Sequence, residues 1–251
     1  MDLYLQNNVV IVTGGGSGIG AAISQLLAEE GAIPVLVTNA APDAAFLAGL
    51  QRLQPKTEVI FTELCEEASC RQAVDQTLAQ FGRIDGLVNN GALATGLGGK
   101  PFETIQVEEW DRVMRVNTRS IWLAIKACAP YLRKSAAGKV VNISSDTALF
   151  GSDRILHYVA SKGAVISMTR SLARELGPDN IAVNAIAPGL VAVEATEYVP
   201  QDRKDLYVSG RAMQRTQLPE DVTGVVVFLL GQGAGFVTGQ LLPVNGGFVL
   251  N

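Results

Sequence analysis

The chain has 251 residues, of which 48% are hydrophobic and 18% charged, with a formal net charge of -4. That length and apolar content suffice for one large core, so residues 1–251 are expected to form a single domain. An acidic chain without a basic stripe would repel a phosphate backbone, which excludes nucleic acid as an expected partner.

Short β-branched runs alternate with longer helical patterns from the first residues onward. VVIVT at 9–13 reads as a strand and AAISQLLAEEG at 21–31 as a helix; PVLVT at 34–38 precedes a helix through Leu47. EVIFT at 58–62, a helix at 71–82, GLVNN at 86–90, a long helix near 107–134 and KVVNIS at 139–144 continue the rhythm. A helix at 158–176, IAVNAIAP at 181–188, a helix from Pro219 to Leu230 and a strand near 240–244 complete it. This is the alternation of βαβ units, and strands apolar on both faces predict a parallel sheet of about seven strands covered by helices on each side. One segment, 194–217, is charged and too long for an ordinary connection, and is expected to be a lid over a substrate.

Cys65, Cys70 and Cys128 form neither an even disulfide framework nor a zinc pattern, so they are expected as reduced, buried thiols and no metal is expected. The start of the chain has no basic leader, and no apolar run reaches about 18 residues, which leads to the expectation of a cytoplasmic protein with no membrane partner.

The chemistry is carried by a few spaced residues. The turn TGGGSGIG at 13–20 falls between the first strand and its helix, where free backbone N–H groups can meet a pyrophosphate; Gly14, Gly18 and Gly20 are its leading candidates. Tyr158 and Lys162 lie four apart in HYVASKGAV and so share one helix face, which makes Tyr158 a candidate proton donor beside an ammonium. Tyr4, Tyr131, Tyr198 and Tyr207 have no lysine at that spacing. Ser145 stands thirteen positions upstream of Tyr158 in VVNISS, and consecutive Ser144 and Ser145 at a strand end face opposite ways, so at most one lines a cleft.

Taken in order, Thr13-Gly14, Gly18, Gly20, Asn89-Asn90-Gly91, Asn117, Ser145, Tyr158, Lys162 and Pro188-Gly189 run through nearly the whole chain. In this it resembles the short-chain dehydrogenase/reductase family. The resemblance implies a Rossmann-like, doubly wound α/β fold and hydride transfer between a nicotinamide and a secondary alcohol or ketone. It implies a tetrad of Asn117, Ser145, Tyr158 and Lys162: Tyr158 moves the proton, Lys162 supplies a positive field and binds the nicotinamide ribose, Ser145 orients the substrate oxygen, and Asn117 holds a water. It implies a cofactor cradle of Gly14, Ser17, Gly18, Ile19, Gly20, Thr38, Asn39, Glu63, Leu64, Asn90, Gly91, Pro188, Gly189 and Val191, with Tyr158 and Lys162. It also implies a homotetramer or homodimer built through the long helices, which would shield Cys128.

Several places depart from the family pattern. Gly91-Ala92 reverses the usual Ala-Gly, Val193 replaces a threonine that holds the carboxamide, and Asn245 stands where Asp is common. Thr196 or the backbone at Val191 is the expected substitute for that threonine. The cofactor-choosing positions hold Thr38 and Asn39, neither an acid for NAD nor an arginine for NADP, but residues 1–51 contain no Lys or Arg to neutralise a 2′-phosphate, so NAD is preferred over NADP. Asp43, after Pro42, suits the first turn of a helix better than a ribose ligand.

For the substrate, Asp146, Arg154 and His157 beside the tetrad point to a hydroxylated molecule such as a sugar, whereas Leu93, Leu149 and Phe150 point to an aryl or alkyl ketone. Alcohol or sugar oxidation is the first expectation and NADPH-dependent carbonyl reduction the second. A non-catalytic dinucleotide sensor is a third, opposed by the intact tetrad.

Overall fold

The computed structural model describes residues 2–136 and 138–250. Seven strands, β1 (Val9–Thr13), β2 (Ile33–Thr38), β3 (Glu58–Phe61), β4 (Gly86–Asn89), β5 (Lys139–Ile143), β6 (Ala182–Pro188) and β7 (Leu241–Val244), form one sheet in the order β3-β2-β1-β4-β5-β6-β7. Every pairing is parallel. The order reverses between β1 and β4, and a ligand cleft belongs at the carboxyl ends of the strands there.

Alternation along each strand divides the core. Val9 and Ile11 point to one face, with α3 (Glu67–Phe81), α5 (Ser120–Leu132) and α7 (Leu156–Leu176). Val10 and Val12 point to the other, with α1 (Gly18–Glu29) and α9 (Glu220–Leu230). A parallel sheet apolar on both sides needs both covers. Between the strands run two polar links: Asn89 Nδ2 donates to Asn142 Oδ1 at 2.8 Å and Asn142 Nδ2 to Thr169 Oγ1 of α7 at 2.9 Å. These fix the height of α7 against β5, and with it the helix that carries Tyr158 and Lys162.

Several boundaries differ from expectation. Asp43 is not in the first turn of α2 (Ala44–Leu53) but is its N-cap, its Oδ1 accepting from Phe46 N at 2.8 Å. The long helix is interrupted: α4 (Val107–Met114) passes through a π turn at Arg115–Arg119 into α5, with Asn117 inside the turn. The charged 194–217 segment contains α8 (Gln201–Gly210), and a short helix α6 (Thr147–Phe150) follows β5. Among the described residues no helix is long and apolar enough to cross a membrane.

Cys128 lies in the core of the single chain, where burial pushes its thiol up to about 12. Its shielding therefore reports packing within one subunit and says nothing about an assembly. Cys70 is also buried, and Cys65 is half-buried. With an aromatic disulfide reagent, we expect at most one thiol per native chain, Cys65, to react within minutes, and all three after unfolding. Fast release of two or more from native protein would contradict this packing.

Candidate active site

The glycine turn is built by close approach. Gly14 (φ +62°) and Gly18 (φ +50°) adopt left-handed backbone, and a Cβ on Gly20 would collide with the Gly14 carbonyl oxygen. Ser24 Oγ ties the turn to its helix by donating to Gly20 O at 2.9 Å and Gly15 O at 3.1 Å. Ser17 is the N-cap of α1, yet its side chain makes no capping bond and no carboxylate stands in the first turn. A helix N-terminus left open behind such a turn fits a pyrophosphate.

β4 closes the other side. Thr13 Oγ1 accepts from Asn90 N at 3.0 Å and Gly91 N at 2.9 Å, while Asn90 Nδ2 donates to Thr13 O at 3.1 Å and Gly14 O at 3.2 Å. A Cβ at Gly91 would meet Thr13 Oγ1 at 3.3 Å, so the Gly91-Ala92 order relieves a tight but passable contact and leaves the turn intact. Thr38 Oγ1 folds onto its own loop, donating to Ala40 O at 3.0 Å, with Asn39 exposed beside it. Leu64 packs against the core, with Glu63 exposed before it. At the far end, Pro188 closes β6, Gly189 N donates to Val244 O at 3.3 Å, and Val191 bridges to Gln217. Val193 lies against Gly18, and the Thr196 hydroxyl is turned inward, donating to Val191 O at 2.6 Å.

The other half of the cleft joins β5 to α7. Tyr158 is half-buried, and its phenol is hydrogen-bonded to Ser145. Ser145 Oγ accepts from Thr147 Oγ1 at 2.9 Å, which leaves the serine proton free to donate toward Tyr158. Ser144 faces away, its Oγ donating to Lys162 O at 2.9 Å. Lys162 Nζ is buried, donates to Ile143 O at 2.8 Å and stands 5.7 Å from the Tyr158 ring centroid. Asn117 is fully buried and clamps the loop after β4: its Oδ1 accepts from Leu93 N at 2.7 Å and its Nδ2 donates to Leu93 O at 3.0 Å and Ser161 Oγ at 3.2 Å.

Dryness sets the charges here. Desolvation pushes the Tyr158 phenol up to about 12, against the pull of the Ser145 bond, and pushes Lys162 down to about 8. The Lys162 ammonium is directed at Ile143 O, and burial is the largest influence on the phenol.

This arrangement has relatives over its full length. Residues 14–249 match the family profile described as enoyl-(acyl carrier protein) reductase. The chain is 37% identical to the cyclopentanol dehydrogenase of a Comamonas species, covering 98% of this chain and 99% of the relative. It is 31% identical to the 3-oxoacyl-(acyl-carrier-protein) reductase FabG of Thermotoga maritima, covering 99% and 100%. The crystal structure of Cj0485 dehydrogenase superimposes with a TM-score of 0.91 at 30% identity, covering 100% of this chain and 98% of that one. The chain belongs to the short-chain dehydrogenase/reductase family. It is an NAD(P)-dependent oxidoreductase acting on CH–OH groups of a small molecule.

Within this short-chain dehydrogenase/reductase, two of the three polar neighbours that suggested a sugar substrate, Asp146 and His157, are fully buried. His157 is fully buried, its Nε2 3.4 Å from Glu109 Oε1 of α4. Arg154 is exposed at a left-handed position (φ +57°), its carbonyl accepting from Lys100 N. Asp146 is fully buried, its oxygens toward Tyr207 and Asn245. Phe150 instead presents a ring 39% exposed, braced edge-on by Tyr207 and Phe248 with centroids at 6.2 and 5.3 Å. Tyr198, Tyr207, Arg211 and Phe248 carry no motif, and only their positions in the folded chain bring them to this place.

Two outcomes follow from the geometry. Gly20→Ala, normally favourable inside a helix, should cost about 1–3 kcal/mol here and weaken dinucleotide binding more than tenfold, read by urea denaturation and NADH titration. Burial raises the Asp146 carboxyl from 3.8 to about 7. A folded pKa above the unfolded one gives stability that is full below about pH 4 and lost as pH rises through about 7. Wild type should therefore lose Tm relative to Asp146→Asn across that window; a constant difference from pH 4 to 8 would disprove the shift.

Proposed function

We propose that this enzyme interconverts a compact, apolar secondary alcohol and its ketone with NAD, in the oxidation direction first. The observation that carries the reading is the Tyr158 phenol, hydrogen-bonded to Ser145 at the dry junction of β5 and α7, with the partly exposed Phe150 ring at the end of the adjoining helix α6. Bound oxidised nicotinamide supplies a hydride acceptor and a positive charge. Ser145 donates its proton to the substrate oxygen and so fixes the reacting carbon. Tyr158 exchanges the hydroxyl proton, and Lys162, with two of its three N–H groups left after Ile143, binds the cofactor ribose and holds positive charge beneath the phenol. Asn117 acts through the loop at Leu93 and through Ser161, whose Oγ donates to Tyr158 O at 2.7 Å.

The glycine turn, Thr38, Asn39, Glu63, Leu64, Asn90, Gly91 and the Pro188–Val191 stretch would hold the dinucleotide. The NAD preference is supported by the absence of Lys and Arg through residue 51; Arg52 stands in the last turn of α2. The 194–217 segment acts as the lid, and Tyr198 Oη, donating to Ala94 O at 2.9 Å, fastens it to the loop after β4. Exposed Val107 and Trp122 on α4 and α5 support assembly of two or four copies.

Ketone reduction is the second reading, favoured by one observation: a phenol pushed up to about 12 is a proton donor at neutral pH. NADH should bind at least tenfold more tightly than NADPH, about 1.4 kcal/mol, by fluorescence titration at equal ionic strength; tighter NADPH binding would reverse the cofactor and favour reduction. Tyr158→Phe should lose more than about a thousandfold in turnover of cyclopentanol with NAD while NADH affinity stays within about threefold. Normal turnover in that variant would remove Tyr158 from the mechanism.

A further inference from the structure

Behind Ser145, three parts of the chain converge on one carboxylate. Asp146 is fully buried at the end of β5, its N–H donating to Pro188 O at 3.0 Å. Tyr207 Oη of α8 donates to its Oδ1 at 3.4 Å, and Asn245 Nδ2 after β7 to its Oδ2 at 3.5 Å. Arg211, one residue beyond α8, joins the cluster: its Nη2 donates to Leu190 O at 2.8 Å, and its buried Nε has no partner. The Tyr207 ring stacks on Phe248 at 4.5 Å and meets the edge of Phe150 at 6.2 Å.

A buried carboxylate held by two long side-chain hydrogen bonds, the Thr147 backbone and the nearby charge of Arg211 is a poor way to fill space. An apolar side chain of similar volume would avoid the desolvation penalty, so packing does not require an acid here. What the acid offers is an acceptor for Tyr207 at the end of the strand that carries Ser145. Besides the stacking of Tyr207 on Phe248, the other polar side-chain ties that leave α8 among the described residues are exposed, Arg203 to Asp153 at 2.6 Å and Lys204 Nζ to Glu197 O at 3.1 Å, and exposed ties hold little.

We propose that Asp146 is a positioning residue: it seats α8 on the strand end carrying Ser145, and thereby sets where the wall of Phe150, Tyr207 and Phe248 stands beside the reacting oxygen. This rests on the alcohol–ketone reading above, and its test is chosen to be separable from it. Removing the acceptor or the donor should loosen α8 and weaken substrate binding, with little effect on the chemical step. Asp146→Asn keeps an acceptor oxygen and should rescue both.

Deuterium exchange of the full-length protein, followed by mass spectrometry, reads the seating without turnover. In Asp146→Ala and Tyr207→Phe, residues 201–210 should exchange about tenfold faster than in wild type, while α1 and α7 keep their rates; Asp146→Asn should stay within about twofold. With cyclopentanol and NAD, the first two variants should show KM raised about five- to twentyfold and kcat changed less than about threefold, with KM largely restored in Asp146→Asn. Wild-type exchange at 201–210 in Tyr207→Phe would overturn the proposal, as would exchange that rises equally throughout the chain. So would faster exchange with an unchanged KM. If Asp146→Ala does not fold, Tyr207→Phe carries the test. If no form of the protein turns over cyclopentanol, the substrate reading fails and the exchange result alone decides whether Asp146 seats α8.

Discussion

The seam between β1 and β4 holds the molecule together where the sheet changes direction. One hydroxyl, Thr13 Oγ1, takes the two amide protons at the start of the loop after β4, and Asn90 returns its carboxamide to the Thr13 and Gly14 carbonyls. These bonds bring two strand ends that are distant in sequence so close that the glycine turn has no space for side chains at Gly14 or Gly20. The open α1 N-terminus, the clamp of Asn117 on Leu93 and the gap beside Tyr158 all take their positions from that closure. Parallel pairing then places the ends of β5 and β6 along the same edge, so residues distant in sequence face one cleft.

On the other side of that cleft the governing influence is exclusion of water. Tyr158, Lys162 and Asp146 all depart from their ordinary acidities with desolvation as the leading cause, the two acids upward and the amine downward. Each shift disfavours charge, so the protein alone leans toward a neutral site. On the proposed reading, the chain keeps the proton on Tyr158 and a positively charged cofactor bound beside it would draw that proton away.

Period and spacing made the architecture readable from sequence. All seven strands stand within a few residues of their expected places, because apolar runs bounded by glycine and polar turns leave few alternatives. The four-residue spacing of Tyr158 and Lys162 is a helical fact and needs no tertiary information. What could not be read depends on direction. Asp146 and His157 adjoin Ser145 and Tyr158 in sequence, yet one step along a strand end or a helix turned them into the protein, toward Tyr207 and Glu109. Thr196 likewise had the right chemistry for a ligand but found its acceptor in its own loop. The cluster around Tyr207, Arg211, Asn245 and Phe248 comes from two distant segments without a shared pattern, and only folding assembles it.

The π turn at Arg115–Arg119 has a consequence for how this chain can change over time. It holds one residue more than an α-helical turn, and α4 packs on α7 while α5 packs on α3 and the sheet. Losing that residue would rotate everything after it by about 100°, swinging Ile125, Cys128 and Leu132 out of the core. Side chains on its outer surface, such as Arg115, can drift freely, but the length of the segment cannot. Insertions and deletions should accumulate in the loops around it and stop at its borders, which makes the stretch around Asn117 one of the least editable in the protein.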